Sequence, residues 1–368
     1  MVIIGAGLAG SATAWALARR GRSAVVLEAF AAGHRRGSSH GSARIFRRAY
    51  PDPLYVRLTG QAQQLWRQLA AEAGVELIAT TGGLDFGPAR EQEKIHEILA
   101  AAKVPAELLP AAAAAERWPG TVFGTAPVLF QPDAGVIDAD RAMTVMRARA
   151  EAGGAQIHYG SPVLDVSASG AGAVVHTAER SWQAPVVVVA AGSWLPPLLG
   201  GHVPLPPLAV TQQEAFHFAP RDGAAPGAPA APRPVFLYHG EAVLYGLLAG
   251  RDGEVPGAVK IGDHSPGPIT TAEGRDGVVR PAGRQKVRAF VRDTFHDLDP
   301  DPVGELTCLY TSTATEDFVL DRYGPFVVCS ACSGHGAKFA PLTGELAADL
   351  ACGGPAGDPR FTLAAHRG

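Results

Sequence analysis

The chain has 368 residues, enough for about two domains with a full core. With 47% apolar residues, 18% charged residues and a net charge of −3, it is neither a disordered chain nor one drawn to polyanions, so nucleic acid is not an expected partner. Four Cys cannot build a disulfide framework, and no apolar run reaches the ~20 residues of a membrane span, so a reducing cytoplasmic location without membrane contact is expected.

Met1–Ala18 is mostly apolar, but no basic region precedes it, and Arg19, Arg20 and Arg22 follow it, the wrong order for a secretory leader. It reads as a strand Val2-Ile3-Ile4, a glycine-rich turn and a helix to about Arg20, with a second strand at Ala24–Glu28. A polar, glycine-rich loop spans 34–41. From 53 to 74 the pattern is helical, with Leu54, Val56, Leu58, Leu65 and Leu69 in rough 3.6 periodicity. Helices are predicted at 89–102 and 138–153, then strands at 156–159, 173–176 and 184–191. The last run is apolar on both faces, which predicts a central strand of a covered parallel sheet. Strands alternate around 210–218, 235–238, 243–248 and 258–262, interrupted by an Ala/Pro/Gly-rich surface loop at 219–234. A helix at 284–295, a strand at 325–330 and a helix at 345–351 follow. The predicted class is α/β (α+β overall). A Rossmann-like dinucleotide-binding domain is expected from 1–80, 136–205 and 304–368, and an antiparallel-sheet substrate domain from 81–135 and 206–303.

The strongest local signal is Gly5-x-Gly7-x-x-Gly10 with Glu28 eighteen residues on. The first glycine allows the tight turn, the second lets backbone approach a pyrophosphate, and the third lets helix pack on strand. The pyrophosphate then meets free N–H groups at a helix N-terminus. Glu28 ends the second strand and can accept from both ribose hydroxyls, which disfavours NADP; NAD and FAD are not separated by this motif. Ser38-Ser39-His40-Gly41 offers small side chains and exposed backbone donors, which suits a loop lying against a cofactor. Arg44 and Arg47 are three apart, so an extended strand places them on opposite faces, one toward the cofactor and one toward a ligand. Lys260 stands between Val259 and Ile261 in an apolar strand, where a cation needs a reason. Cys329 and Cys332 have no second pair to complete a zinc site and read as packing residues, so no metal is expected.

Several runs, in order along nearly the whole chain, carry a resemblance: Gly37–Tyr50, Thr81–Gly87, Phe130–Gly135, Gly257–His264, Cys308-Leu309-Tyr310-Thr311 and Ser333–Phe339. Together they resemble the monomeric sarcosine oxidase and N-methyltryptophan oxidase family, flavin-dependent amine oxidases of the D-amino-acid oxidase group. The resemblance implies FAD as cofactor, bound covalently through Cys308, whose plain reading is a small buried hydrophobe. It implies Lys260, His264 and Arg44 at the catalytic centre, with Lys260 assisting O2. It also implies Arg47, Lys338 and Tyr245 around an amino-acid substrate, with Gly334 and Gly336 beside the cofactor together with Lys338. A monomer is expected.

The implied reaction is oxidation of an N-alkyl or cyclic secondary α-amino acid to an imine, with O2 reduced to H2O2. The alternatives are an imine or cyclic-amine oxidase of secondary metabolism and an amine dehydrogenase with another electron acceptor; Lys260 argues against the latter. The sequence departs from the family pattern at Ser42, Ala43, Arg48 and Ala337, which are expected in or near the ligand cavity and bear on substrate identity.

Overall fold

The computed structural model describes residues 1–170, 172–221 and 233–366. Its first sheet has six strands in the order Val319–Tyr323, Phe326–Ser330, Val187–Val189, Val2–Ile4, Val25–Leu27, Gln156–His158. All neighbours are parallel except the first pair. Strand periodicity explains its two apolar faces. Ile3, Val26, Val188 and Val327 pack under the helices Leu8–Arg19, Ala139–Ala152 and Ala340–Ala351, while Val2, Ile4, Leu27, Val187 and Val189 face the opposite core. A small antiparallel sheet, Val163–Ser169, Gly172–Thr177 and Ser181–Ala184, covers part of that second face.

The second large sheet has eight strands in the order Leu298–Ser312, Ala209–Pro220, Val259–Asp263, Val243–Leu248, Val235–His239, Gly83–Phe86, Val128–Gln131, Glu107–Leu109. All pairs are antiparallel except Val235–His239 with Gly83–Phe86. One face carries Phe216, Phe218, Phe236, Val259 and Ile261, closed by Val287 and Val291 of the helix Pro281–Thr294. Alternation therefore turns Lys260 to the other face, toward the first sheet.

Local chemistry sets the helix ends. Asp52 caps Pro53–Ala73 by accepting from the Leu54 N–H at 2.8 Å, Pro53 opens it, and Gly74 closes it in the left-handed region. Asp138 caps Ala139–Ala152 through the Arg141 N–H.

The structure departs from expectation in three places. The apolar run 184–191 is not one strand: Pro185 breaks it, Ser181–Ala184 belongs to the small sheet, and only Val187–Val189 is central. The last long helix starts at Ala340 rather than 345, with Pro341 in its first turn, where a missing N–H costs nothing. The 15-residue strand Leu298–Ser312 carries Pro300 and Pro302, which it accommodates because it is a sheet edge. The loop at 219–234 lies largely outside the described residues.

Candidate active site

The two large sheets face each other across one cavity of ≈ 1100 Å3. Ligand pockets commonly span about 300–1,000 Å3, so this space suits a large cofactor with a small substrate beside it. Of the candidate catalytic, substrate-binding and cofactor-binding residues named from the sequence, all but Gly10 line it.

One end is a dinucleotide cradle. Gly5 has φ 99° and abuts the Ala190 carbonyl, and a side chain on Gly7 would meet Ser39 Oγ. Gly10 lies beneath, where a Cβ would run into the Gly5 carbonyl oxygen, which is the close strand–helix approach the motif predicts. The N-cap residue of the helix Leu8–Arg19 is Gly7, which has no side chain to cap the first turn. Glu28 is oriented by backbone: Ala6 N–H donates to Oε2 at 2.8 Å and Phe30 N–H to Oε1 at 3.1 Å. Each carboxylate oxygen retains accepting capacity for a ribose hydroxyl.

The loop 34–41 closes over this cradle. Ser38 Oγ donates to the Leu309 carbonyl at 2.6 Å, and Ser39 Oγ accepts from Leu8 N–H at 3.1 Å. Arg44 donates to the carbonyls of Ser38, His40 and Ala43, so its guanidinium organises the loop as well as lining the cavity. Burial, then Arg44 and Lys260, pushes the His40 imidazole down to about 3, so it is neutral. Its buried Nε2 has no partner among the described residues. An orphaned polar atom on a cavity wall marks a place for a polar ligand. Together with the glycine cradle, it fits FAD.

The antiparallel wall contributes by period two. Leu306, Cys308 and Tyr310 from one strand line the cavity, as do Val243, Tyr245 and Leu247 from another. Tyr245 stands opposite Gly262, where a side chain would strike its ring. Lys260 is only 7% exposed, and no side-chain hydrogen bond holds its Nζ among the described residues. Burial, then Arg44, lowers its pKa to about 8, so it is mostly protonated at neutral pH. Burial pushes the Cys308 thiol up, with Lys260 and Arg44 pulling the other way. Burial, then Lys338 and Arg47, lowers His264 to about 4.

The far end holds cations. The strand bearing Arg44 stops at Phe46, so Arg47 is not simply on the opposite face: both arginines line the same cavity. Arg47 lies over the Tyr50 ring at 4.6 Å. Lys338 reaches this ring from a tight turn: Ser333 and Gly334 have positive φ, and a Cβ on Gly336 would run into the Ala331 carbonyl. Its Nζ stands 5.6 Å from the Tyr50 centroid and donates to the His335 carbonyl at 2.9 Å. Burial, then Arg47, holds its pKa well below the ordinary lysine value.

Two of the departures lie beside the cavity rather than on its wall. Ser42 and Arg48 do not line the cavity: Ser42 Oγ accepts from Arg251 N–H at 2.8 Å, and Arg48 donates to the Val56 carbonyl at 3.2 Å. Ala43 and Ala337 do line it. Cys329 is buried with its thiol pushed up to about 12, whereas half-buried Cys332 borders the cavity rather than only packing. Sequence reasoning missed Tyr50, Asp85, Arg90 and His239. The signal for Asp85 was present: a carboxylate in the fully buried strand Gly83–Phe86 requires a partner, and Arg90 supplies it at 2.6 Å.

Residues 1–350 match the family described as FAD dependent oxidoreductase, and the chain belongs to that family. Within it, the chain is sarcosine oxidase-like. It is 34% identical over 366 residues to the peroxisomal sarcosine oxidase of Homo sapiens, covering 95% of this chain and 91% of that protein. It is 32% identical to the monomeric sarcosine oxidase of Streptomyces avermitilis, covering 98% and 95%, and 31% identical to the N-methyl-L-tryptophan oxidase of Yersinia pestis, covering 95% and 93%. Among solved structures it is similar to NikD, an unusual amino acid oxidase essential for nikkomycin biosynthesis. There the TM-score is 0.86 and the identity 26%, covering 98% of this chain and 96% of that one.

Proposed function

We propose that this protein is an FAD-dependent oxidase of N-alkyl or cyclic secondary α-amino acids, forming an imine and reducing O2 to H2O2. The observation that carries it is one cavity with a dinucleotide cradle at one end and Arg47 with Lys338 at the other. The relatives named as oxidases of sarcosine and N-methyl-L-tryptophan support it.

FAD would be held by Gly5, Gly7, Glu28, Ser38, Ser39, His40, Arg44 and the turn at Gly334–Gly336, and covalently by the Cys308 Sγ. When bound, it supplies the two-electron oxidation of the amine. Arg47 and Lys338 grip the substrate carboxylate and so present the α-C–H and nitrogen in one orientation. Their field also favours loss of the ammonium proton, and the neutral amine has the lone pair that assists hydride departure. Tyr245 and neutral His264 shape the wall beside it. Lys260 places a fixed positive charge where O2 acquires electrons, and a preorganised cation stabilises the anion that forms. The imine leaves for hydrolysis in water. The protein acts as a monomer.

A second reading, a cyclic-amine or imine oxidase in a biosynthetic route, is favoured by Ala337, a small residue on the cavity wall next to Lys338, and by the likeness to NikD. Peroxide assays on the holoenzyme with sarcosine, other N-methyl amino acids, proline and pipecolate separate the two. Turnover of any of these secondary α-amino acids supports the first reading, and peroxide formed with none of them but with added cyclic imines supports the second.

A further inference from the structure

With the amine oxidation proposed above as its basis, the cavity also bears on the substrate's side chain. Arg90 lines the cavity with its side chain only 6% exposed. Its Nε donates to Asp85 Oδ1 at 2.9 Å, its Nη2 stands 2.6 Å from the same oxygen, and Nη2 donates to the Ala49 carbonyl at 3.1 Å. That leaves Nη1, whose one hydrogen-bond contact among the described residues is a long 3.5 Å approach to His239 Nε2. At that length the hydrogen bond is weak, so Nη1 remains available to a better acceptor.

The charges around it do not balance. Arg47 also donates to the Ala49 carbonyl, and its Nη1 lies 3.9 Å from Asp85 Oδ1. Asp85 thus stands between two guanidiniums and neutralises one. Asp317, farther along the wall, is already paired with Arg360, and Glu316, which lines the wall on the Tyr50 side, has its carboxyl pKa raised by burial. His239 contributes no charge at neutral pH, because burial and then Arg90 lower it to about 4. Accepting from Arg90 at Nε2 leaves its Nδ1 as an N–H donor. If the α-carboxylate occupies Arg47 and Lys338, a buried guanidinium with a free donor edge still lines the cavity.

We infer that Arg90, with His239, determines specificity as a second anion subsite, taking a side-chain carboxylate of an acidic N-alkyl amino acid. Arg47 and Arg90 converge on the same Asp85 oxygen and the same Ala49 carbonyl, so the two carboxylates must be joined by a short chain, of aspartate or glutamate length.

The test uses the holoenzyme and reads ligand binding from the flavin absorbance spectrum. Wild type should bind succinate at least tenfold more tightly than butyrate, which has the same chain with one carboxylate. Arg90→Met should remove that preference, and Arg90→Lys, which keeps a charge without the planar fork, should retain part of it. In turnover, both enantiomers of N-methylaspartate are compared with the isosteric N-methylleucine, and the ratio of kcat/KM should fall at least tenfold in Arg90→Met. Equal wild-type binding of succinate and butyrate overturns the inference, and so does an equal loss for both ligands in Arg90→Met, which means Arg90 grips the α-carboxylate or only supports Asp85. Failure of sarcosine and every other amine to reduce the flavin rejects the proposed function instead, and the succinate-to-butyrate comparison still decides the subsite.

Discussion

Arg47 and Lys338 share one aromatic neighbour: the guanidinium stands 4.6 Å and the ammonium 5.6 Å from the centroid of Tyr50. They come from opposite ends of the chain, and only the fold brings them together. Two buried cations this close repel, and an anion between them relieves the repulsion.

If both grip one carboxylate, each charge-assisted hydrogen bond contributes roughly 1.5–3 kcal/mol, or about 10- to 150-fold in affinity. Arg47→Met and Lys338→Met should each weaken acetate binding on that scale, as read from the flavin spectrum. The double variant should lose less than the product of the single losses, because both residues share one ligand. The pH dependence follows from Lys338, whose pKa is lowered by burial and by Arg47. Acetate needs the protonated form, so affinity should fall as pH rises through that lowered pKa. Arg47→Met should move the fall to higher pH, and Lys338→Met should abolish it.

Lys260 should govern the reaction with oxygen. Lys260→Met should slow reoxidation of reduced enzyme by about 10²–10³-fold, the scale of losing one preorganised donor to a developing anion. Anaerobic reduction by substrate should change much less. Because burial and Arg44 bring this lysine to about 8, wild-type reoxidation should decline above about pH 8, and the decline should be absent in the variant. Equal losses in both half-reactions would assign Lys260 a structural role.

Cys308 lies on the cavity wall between Leu306 and Tyr310, in the alternation that turns all three toward the cofactor space. Acid-precipitated wild-type protein should therefore retain its yellow colour, and Cys308→Ser should release free FAD to the supernatant. Free FAD from wild type would contradict covalent attachment.

Gly10→Ala should destabilise the fold by about 1–3 kcal/mol or more, because the added Cβ meets the Gly5 carbonyl and backbone must move. Gly7→Ala meets only the Ser39 hydroxyl, so it should spare the fold and weaken FAD retention instead. Thermal unfolding of the two variants, with and without added FAD, distinguishes these effects.

The parts legible in the sequence were those whose chemistry is local. The glycine spacing and Glu28 specify a turn, a helix start and an acid at a strand end, all within one βαβ unit. Lys260 was legible because a cation between Val259 and Ile261 must face something other than the core those neighbours enter. The edge strand Leu298–Ser312 was obscured by prolines and charges that only an edge tolerates. Which side of the wall Ser42 and Arg48 take was not legible: Ser42 precedes the strand Arg44–Phe46 and turns toward Ala249, and Arg48 follows it and turns toward Val56. The link from Asp85 and Arg90 to His239 was invisible because His239 arrives on a strand paired in parallel with Gly83–Phe86, a neighbour that residue spacing does not announce.

The most direct test of the central claim is rapid anaerobic mixing of the holoenzyme with N-methyl amino acids, sarcosine among them, following the flavin absorbance, and then admitting O2. An amino-acid oxidase should bleach with a rate that saturates in substrate, recover its colour on aeration and release one H2O2 per flavin in each cycle. Simple amines without a carboxylate should bleach it poorly and be largely indifferent to Arg47→Met and Lys338→Met. Strong bleaching by those carboxylate-free amines, or no bleaching by any N-alkyl or cyclic amino acid, would contradict the assignment.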